Sequence, residues 1–445
     1  MTDSVSAKEL KSRESLLDVV RLAACFLVVF HHASVALIFG EDNEIVTPIL
    51  IKLQNFIIMI CTVGEGTPIF FVLAGWLVVN TLEKSAGSRK AMVSSFLRRM
   101  KRILPPYWLS LGLVALLFFA MDMYGLKTYY SGGYAAEFKS PSELTTWQWV
   151  GNLTLTETWR KLYMGDDTVI FTRSAWALCY HEQFVSIAFL IAMIGGFQWR
   201  KLLIAASLVI TVCQIILYDT GSFHRADGLF IDRWFCFAAG ILAYEIKNKT
   251  KSVRTKLLYG SMLLVGMVSG LWINDIELFL STLTALILVF FTERFQWKCP
   301  EKLADFCGRL SPWTYYIYLV HFPAVTIANR ILVEWGLRHF WARVFVVVPV
   351  STTVGILSGL LFGLLVRRLE STRIEMADLQ MKMQLFSAKL RRLLQQIWQE
   401  AAVRPILLPS WNLFPRRDRA IAFDRYEAAS GTGLSDRTPW PNATQ

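Results

Sequence analysis

The sequence predicts an all-α polytopic membrane protein of about ten transmembrane helices, followed by a cytoplasmic amphipathic helix and a flexible tail. Three observations carry that reading. Of the 445 residues, 54% are hydrophobic and only 18% charged, whereas soluble domains are about one-quarter charged. Nearly uncharged stretches recur at the length a helix needs to cross hydrocarbon, about 20 residues. Lys and Arg gather in short stretches between those runs and favour one side of them, as cytoplasmic loops do.

In chain order the spans fall near 16–39, 55–80, 103–122, 176–197 and 201–218, then 229–246, 255–273, 276–292, 313–333 and 341–366. The first follows a short mixed-charge N-terminus, 1–15, and contains Arg21, His31 and His32 with no small-residue cleavage site, so it reads as a span and not a signal peptide. Gly64, Glu65, Gly66 and Pro68 interrupt the second; broken helices persist in membranes where protein or a wet cavity satisfies the backbone, which points to a cavity there. The loop expected at 81–102 holds Lys84, Arg89, Lys90, Arg98, Arg99, Lys101 and Arg102, and 247–256 holds five more cations. With the N-terminus cytoplasmic, both lie inside, together with Arg200, Lys201, Arg294, Lys298, Arg367 and Arg368.

The opposite segments, 123–175, 219–228 and 273–276, are charge-balanced or acidic. In the longest, Trp147, Trp149 and Trp159 suit either an interfacial aromatic belt or a surface on which sugar rings stack, and Asn152-Leu153-Thr154 is a glycosylation sequon by pattern alone. Met376, Leu379, Met383, Phe386, Leu390, Leu393 and Ile397 recur at helical spacing in an amphipathic stretch. The expected domains are thus 1–15, a membrane domain at 16–370, a cytoplasmic amphipathic helix at 371–400 and a flexible tail at 401–445.

The net charge of +12 does not imply nucleic acid, because the cations sit between apolar runs. Seven cysteines, with Cys299 and Cys307 expected in one short loop, show no metal-ligand spacing, and no Gly-rich phosphate loop occurs. No metal and no bound cofactor are expected.

Titratable side chains inside spans are costly and usually face the bundle interior. Asp18, Arg21 and His32 share the first span, and Arg21 to His32 is a rotation of about 1100°, roughly 20° from whole turns, with an axial separation of roughly 16 Å. The two therefore lie on one stripe, with Arg21 near the cytoplasmic surface and His32 near or beyond the midplane. Alone, Arg21 also fits a snorkelling interface anchor, and His32 a histidine bonded to a neighbouring helix. Together they suit acyl or phosphoryl transfer, with a deep imidazole as general base and an anionic donor held below it. Arg99 and Arg102, at i, i+3 on the cytoplasmic end of a span, fit either forked phosphate binding or lipid contact.

Five sequence blocks then carry a resemblance: Asp18-x-x-Arg21 with His32; Phe70-Phe71-Val72-Leu73-Ala74-Gly75-Trp76; Phe96-x-x-Arg99-x-x-Arg102 with Pro105 and Tyr107; Trp176-x-Leu178 with Glu182-Gln183-Phe184; and Tyr316-x-Tyr318-Leu319-x-His321-x-Pro323. In this order they resemble the acyltransferase-3 family of integral membrane O-acyltransferases over residues 16–370. The resemblance implies transfer of an acyl group, acetyl above all, from cytoplasmic acyl-CoA to a hydroxyl of a cell-surface or exported carbohydrate, in a bacterial cytoplasmic (inner) membrane with both termini cytoplasmic. Arg21 and His32 inherit an essential role by position, and Arg99 and Arg102 would meet the acyl-CoA phosphates.

His32 would act as base or as nucleophile. Glu182 would orient the acceptor or His32, or be a solvated helix-start carboxylate. Asp18 would hold Arg21, and Tyr318 and His321 would support the site by packing or hydrogen bonding. The chain departs from the family pattern at Ala74, where serine is usual, at His181, where a glutamate is usual, and at Val185, where tyrosine is usual, which marks the acceptor end of the site as the part that differs. A rival reading is a transporter exporting a sugar or lipid-linked glycan, and a third is a sensor or scaffold acting through the 374–400 helix.

Overall fold

A computed structural model describes residues 7–38, 48–63, 66–85, 88–131, 138–164, 167–219, 228–250, 252–272, 275–293 and 300–403. Among them all regular structure is helical. The helices are α1 (Ala7–Ser34), α2 (Pro48–Val63), α3 (Thr67–Ser85), α4 (Arg89–Met123), α5 (Thr146–Thr154), α6 (Glu157–Met164), α7 (Ala175–Gly195) and α8 (Trp199–Asp219). They continue with α9 (Trp234–Asn248), α10 (Val253–Trp272), α11 (Ile276–Glu293), α12 (Glu301–Leu310), α13 (Thr314–Glu334), the single turn α14 (Phe340–Ala342) and α15 (Val348–Val403). The chain divides into two units, Met1–Thr372 and Arg373–Gln445. The expected amphipathic stretch falls within α15, and most of the expected tail, 404–445, lies outside the described residues.

Six described segments are long and apolar enough to cross a membrane: 16–37, 89–123, 175–214, 253–272, 301–334 and 340–372. Two shorter apolar helices cover Ile49–Cys61 and Ile276–Phe291. Large apolar side chains point outward, among them Leu116 and Phe119 on α4, Val265 and Leu271 on α10 and Leu357 and Leu361 on α15. Such an outward apolar surface suits lipid and not water.

Helix α9 is the centre of the first unit, buried from Trp234 through Ile246. It crosses α3 at backbone contact: a Cβ on Gly75 would fall 2.1 Å from Phe237 O, and one on Gly240 1.9 Å from Val72 O. Small residues permit this approach, which maximises dispersion contact where lipid offers no hydrophobic drive. The Phe70–Trp76 block is therefore a packing surface, and Ala74 and Val185, two of the departures noted above, are both buried in the same apolar core.

At the break before α3, Gly66 packs on α1, where an added Cβ would fall 2.2 Å from Ala24 O, while Gly64 and Glu65 lie outside the described residues. Two other expectations are corrected. The cation-rich stretch expected as a loop at 81–102 is largely helix: α4 begins at Arg89, where the Ser88 hydroxyl accepts from Ala91 N, because Arg and Lys are good helix formers. It runs through Pro105 and Pro106 to Met123. Cys307 belongs to helix α12 and not to a loop, while Cys299 lies outside the described residues.

Between 123 and 175 the described residues, 123–131, 138–164 and 167–175, are held by specific bonds. The Glu157 carboxylate is fully buried, accepts from Arg160 Nε at 2.7 Å and from Val169 N at 2.8 Å, and ties α6 to the segment that leads into α7. Asn152 Nδ2 donates to Gln148 O and Val169 O at 2.8 and 2.7 Å. Buried and doubly bonded, Asn152 is closed to glycosylation. The Lys127 ammonium, then the Ser140 N–H, holds the Glu143 carboxyl below the usual carboxylate range. Trp147 is exposed, whereas the Trp149 ring lies tilted against Phe171 with centroids 5.0 Å apart.

Candidate functional site

The face of α1 predicted to carry Asp18, Arg21 and His32 packs along α13. Arg21 Nη1 donates to Asp18 Oδ1 at 3.1 Å and to Ser311 Oγ at 2.8 Å, and Ser311 Oγ donates to Asp18 Oδ1 at 2.6 Å. Farther along, the His32 ring lies 5.3 Å from His321 and 4.3 Å from Phe322, centroid to centroid. Asn329 Nδ2 then donates to Ala33 O at 3.2 Å. Contacts advance together on both helices, so α1 and α13 run parallel and hold two polar stations roughly 15 Å apart by helical rise.

Ser311 is the residue that sequence reasoning missed at the first station. It opens the short 3-10 turn Ser311–Trp313 that leads into α13, and nothing local in the sequence signals a partner some 290 positions away. Its hydroxyl fixes Asp18 and Arg21 at once, which keeps the guanidinium ordered. Arg102 is exposed and near enough to Arg21 for their charges to repel, so the first station is net cationic.

Arg99 has different surroundings from Arg102, so the two do not form one equivalent fork. Arg99 Nη2 lies 2.8 Å from both Glu182 Oε1 and His181 Nδ1, and His181 Nδ1 lies 3.0 Å from Glu182 Oε1. His181 thus joins a polar knot between α4 and α7 instead of merely filling space. Glu182 is buried a third of the way along α7, not at a solvated helix start, and its Oε2 is buried without a hydrogen-bond partner among the described residues. Phe96 against Phe189 at 5.6 Å, followed by Arg99 against Glu182, shows that α4 and α7 run antiparallel.

Tyr318 donates its hydroxyl to Ser174 O, and its ring faces His321 at 5.9 Å and Phe70 at 6.1 Å. Tyr315 donates to Ile103 O at 2.9 Å, beside the double-proline step of α4. Helix α13 is thus the spine of the site, touching α1 with one face and α4 and the start of α7 with the other. An open basic hollow on α4, lined by Arg89, Lys90, Arg98 and Lys101 around Val93 and Leu97, includes none of the residues predicted for the site. Its walls come from one helix surface and do not enclose a reacting centre.

Apolar helices of spanning length, enclosing paired histidines, arginines and a carboxylate in their interior, define an integral membrane protein with a polar internal site. The family model described as an acyltransferase domain, the acyltransferase-3 model, matches residues 15–360, and the chain belongs to that family. It is therefore a membrane acyltransferase. No curated protein and no solved structure matches the chain.

Proposed function

We propose that the protein transfers an acyl group, acetyl being the expected one, from acyl-CoA on the cytoplasmic side to a hydroxyl of a cell-surface or exported carbohydrate. The supporting observation is the pair of stations along α1 and α13: a cationic one at Arg21, with Arg102 nearby, and an imidazole one at His32. A phosphate-bearing donor suits the first, because guanidinium groups bind phosphate oxygens in forked pairs. A hydroxyl that must lose a proton suits the second.

In this reading Arg102 makes the first contact with the donor phosphates, and Arg99 joins it by exchanging part of its bond to Glu182. Arg21 steers the thioester, held in place by Asp18 and Ser311. His32 takes the proton of the acceptor hydroxyl as the oxygen bonds to the thioester carbon. The carbon–sulfur bond breaks, and the leaving thiolate recovers that proton from the His32 imidazolium. Glu182 Oε2 accepts a hydrogen bond from the acceptor. The membrane domain crosses the bilayer ten times with both termini cytoplasmic, and 371–400 forms a cytoplasmic amphipathic helix.

The test uses purified full-length protein with acetyl-labelled acetyl-CoA and a panel of glycans. Wild type should release CoA and label an acceptor, whereas His32→Ala should lose about 10²-fold or more of that rate, the usual weight of a general base. Glycan uptake into proteoliposomes with no acyl transfer would move the assignment to an exporter.

A further inference from the structure

His321 was expected to pack or to make a supporting hydrogen bond. Its side chain is fully buried, and its two ring nitrogens are used differently. Nδ1 lies 2.9 Å from Tyr318 O and 3.1 Å from Ile317 O. Carbonyl oxygens only accept, so Nδ1 carries the proton, and in the neutral ring Nε2 is then a bare acceptor. That Nε2 is buried and has no hydrogen-bond partner among the described residues. An unpaired acceptor in a buried setting is costly, and it persists where something else is gained.

The neighbour across the gap is His32, its ring 5.3 Å away and tilted by 33°. Phe322 packs edge-on against His32 at 4.3 Å. Gly355 on α15 lies against the Cβ of His321, where a side chain of its own would meet Val325 and Val29. The two rings thus stand beside each other inside the bundle, with Phe322 and His31 against His32 and Tyr318 against His321.

We infer that His321 is a positioning residue for His32: its Nε2 accepts a hydrogen bond from one ring N–H of His32, fixing the tautomer that leaves the other nitrogen free for the acceptor hydroxyl. The inference rests on the acyl-transfer reading above and deepens it. Hydrogen bonds of this kind are often long in the free enzyme and tighten with substrate bound, consistent with the gap between the rings. When His32 takes the hydroxyl proton, the imidazolium holds two N–H groups, one bonded to His321 Nε2 and one returned to the leaving thiolate. The Nδ1 proton of His321 stays on its carbonyls throughout, so no net charge is left behind. The arrangement has the logic of a carboxylate orienting a catalytic histidine, with a neutral imidazole in place of the carboxylate.

Two substitutions separate chemistry from packing. His321→Asn keeps a donor for the Tyr318 and Ile317 carbonyls but removes Nε2. His321→Gln instead puts an amide acceptor near the lost nitrogen. With acetyl-CoA as donor, His321→Asn should lower kcat about 10²-fold with little change in KM, on the scale of general-base effects, and His321→Gln should recover part of the loss. Equal kcat in wild type and His321→Asn would overturn the inference.

A second readout does not depend on turnover. The chain has six histidines, few enough to assign by substitution in 15N-histidine spectra of the reconstituted protein. Wild type should show His32 in a single tautomer that becomes mixed in His321→Asn; an unchanged His32 signal would overturn the inference as well. If wild type releases no CoA, the acyl-transfer reading fails, and the spectra still decide whether the two rings are paired.

Discussion

At the scale of single residues, the first station depends on one hydroxyl. Ser311 accepts from Arg21 and donates to Asp18, so Ser311→Ala leaves the guanidinium held by Asp18 alone, with more freedom of orientation. The expected outcome is an acetyl-CoA KM raised about tenfold, the equivalent of one charge-assisted hydrogen bond of about 1.5 kcal/mol, with kcat nearly unchanged. Ser311→Thr should restore the wild-type KM. Steady-state kinetics of CoA release check both, and an unchanged KM in the alanine variant would remove Ser311 from donor binding. The alignment of Arg21 and His32 was legible from helical periodicity alone, because a rotation fixes a face whatever that face meets. What the face meets was not legible: Ser311 and His321 come from α13 and the turn before it, nearly 300 positions away, and periodicity carries no information about partners. Arg99 illustrates the same limit, since its spacing suggested a free fork with Arg102 while the fold commits it to Glu182.

Among the elements, the segment between α4 and α7 is where the sequence was least informative. It reads as a polar loop because it is short of apolar periodicity, yet it is organised by a buried ion pair and an asparagine bonded to backbone. Such order arises from single specific bonds rather than from a repeating pattern. Glu157→Gln therefore tests it. The change replaces the carboxylate that faces Arg160 with a neutral amide, and breaking a buried ion pair costs about 3–5 kcal/mol. A lowered melting temperature in detergent and faster proteolysis between residues 123 and 175 are the expected outcomes; an unaltered melting curve would mean that the segment stands without the pair. Helix α4 shows the opposite error. Its dense cations suggested a loop, but charge density reports which side of a membrane a stretch occupies and says little about whether it is helical.

For the whole molecule, the positive-inside argument grouped stretches far apart in sequence, and the structure brings several of them to one end. Glu83 closes α3, accepts from the Tyr244 hydroxyl at 2.6 Å and pairs with Lys249 near the end of α9 and with Arg200 at the start of α8. The other end gathers Arg233, Asp232 and Glu277, with Arg233 Nε 2.8 Å from Glu277 Oε2. Helix directions agree with this division, α1 running parallel to α13 and α4 antiparallel to α7, as alternate crossings require. The apolar length of each run was readable from the sequence; which ends meet was inferred only from charge. If the Glu83 end is cytoplasmic, a cysteine at Lys201 and another at Leu126 must respond oppositely to a membrane-impermeant maleimide in a cysteine-free background. In intact cells Leu126→Cys should label and Lys201→Cys should not, and permeabilisation should make both react. Labelling of Lys201→Cys in intact cells would invert the molecule, placing Arg21 and Arg102 on the side that lacks acyl-CoA, and the donor assignment would fall with it.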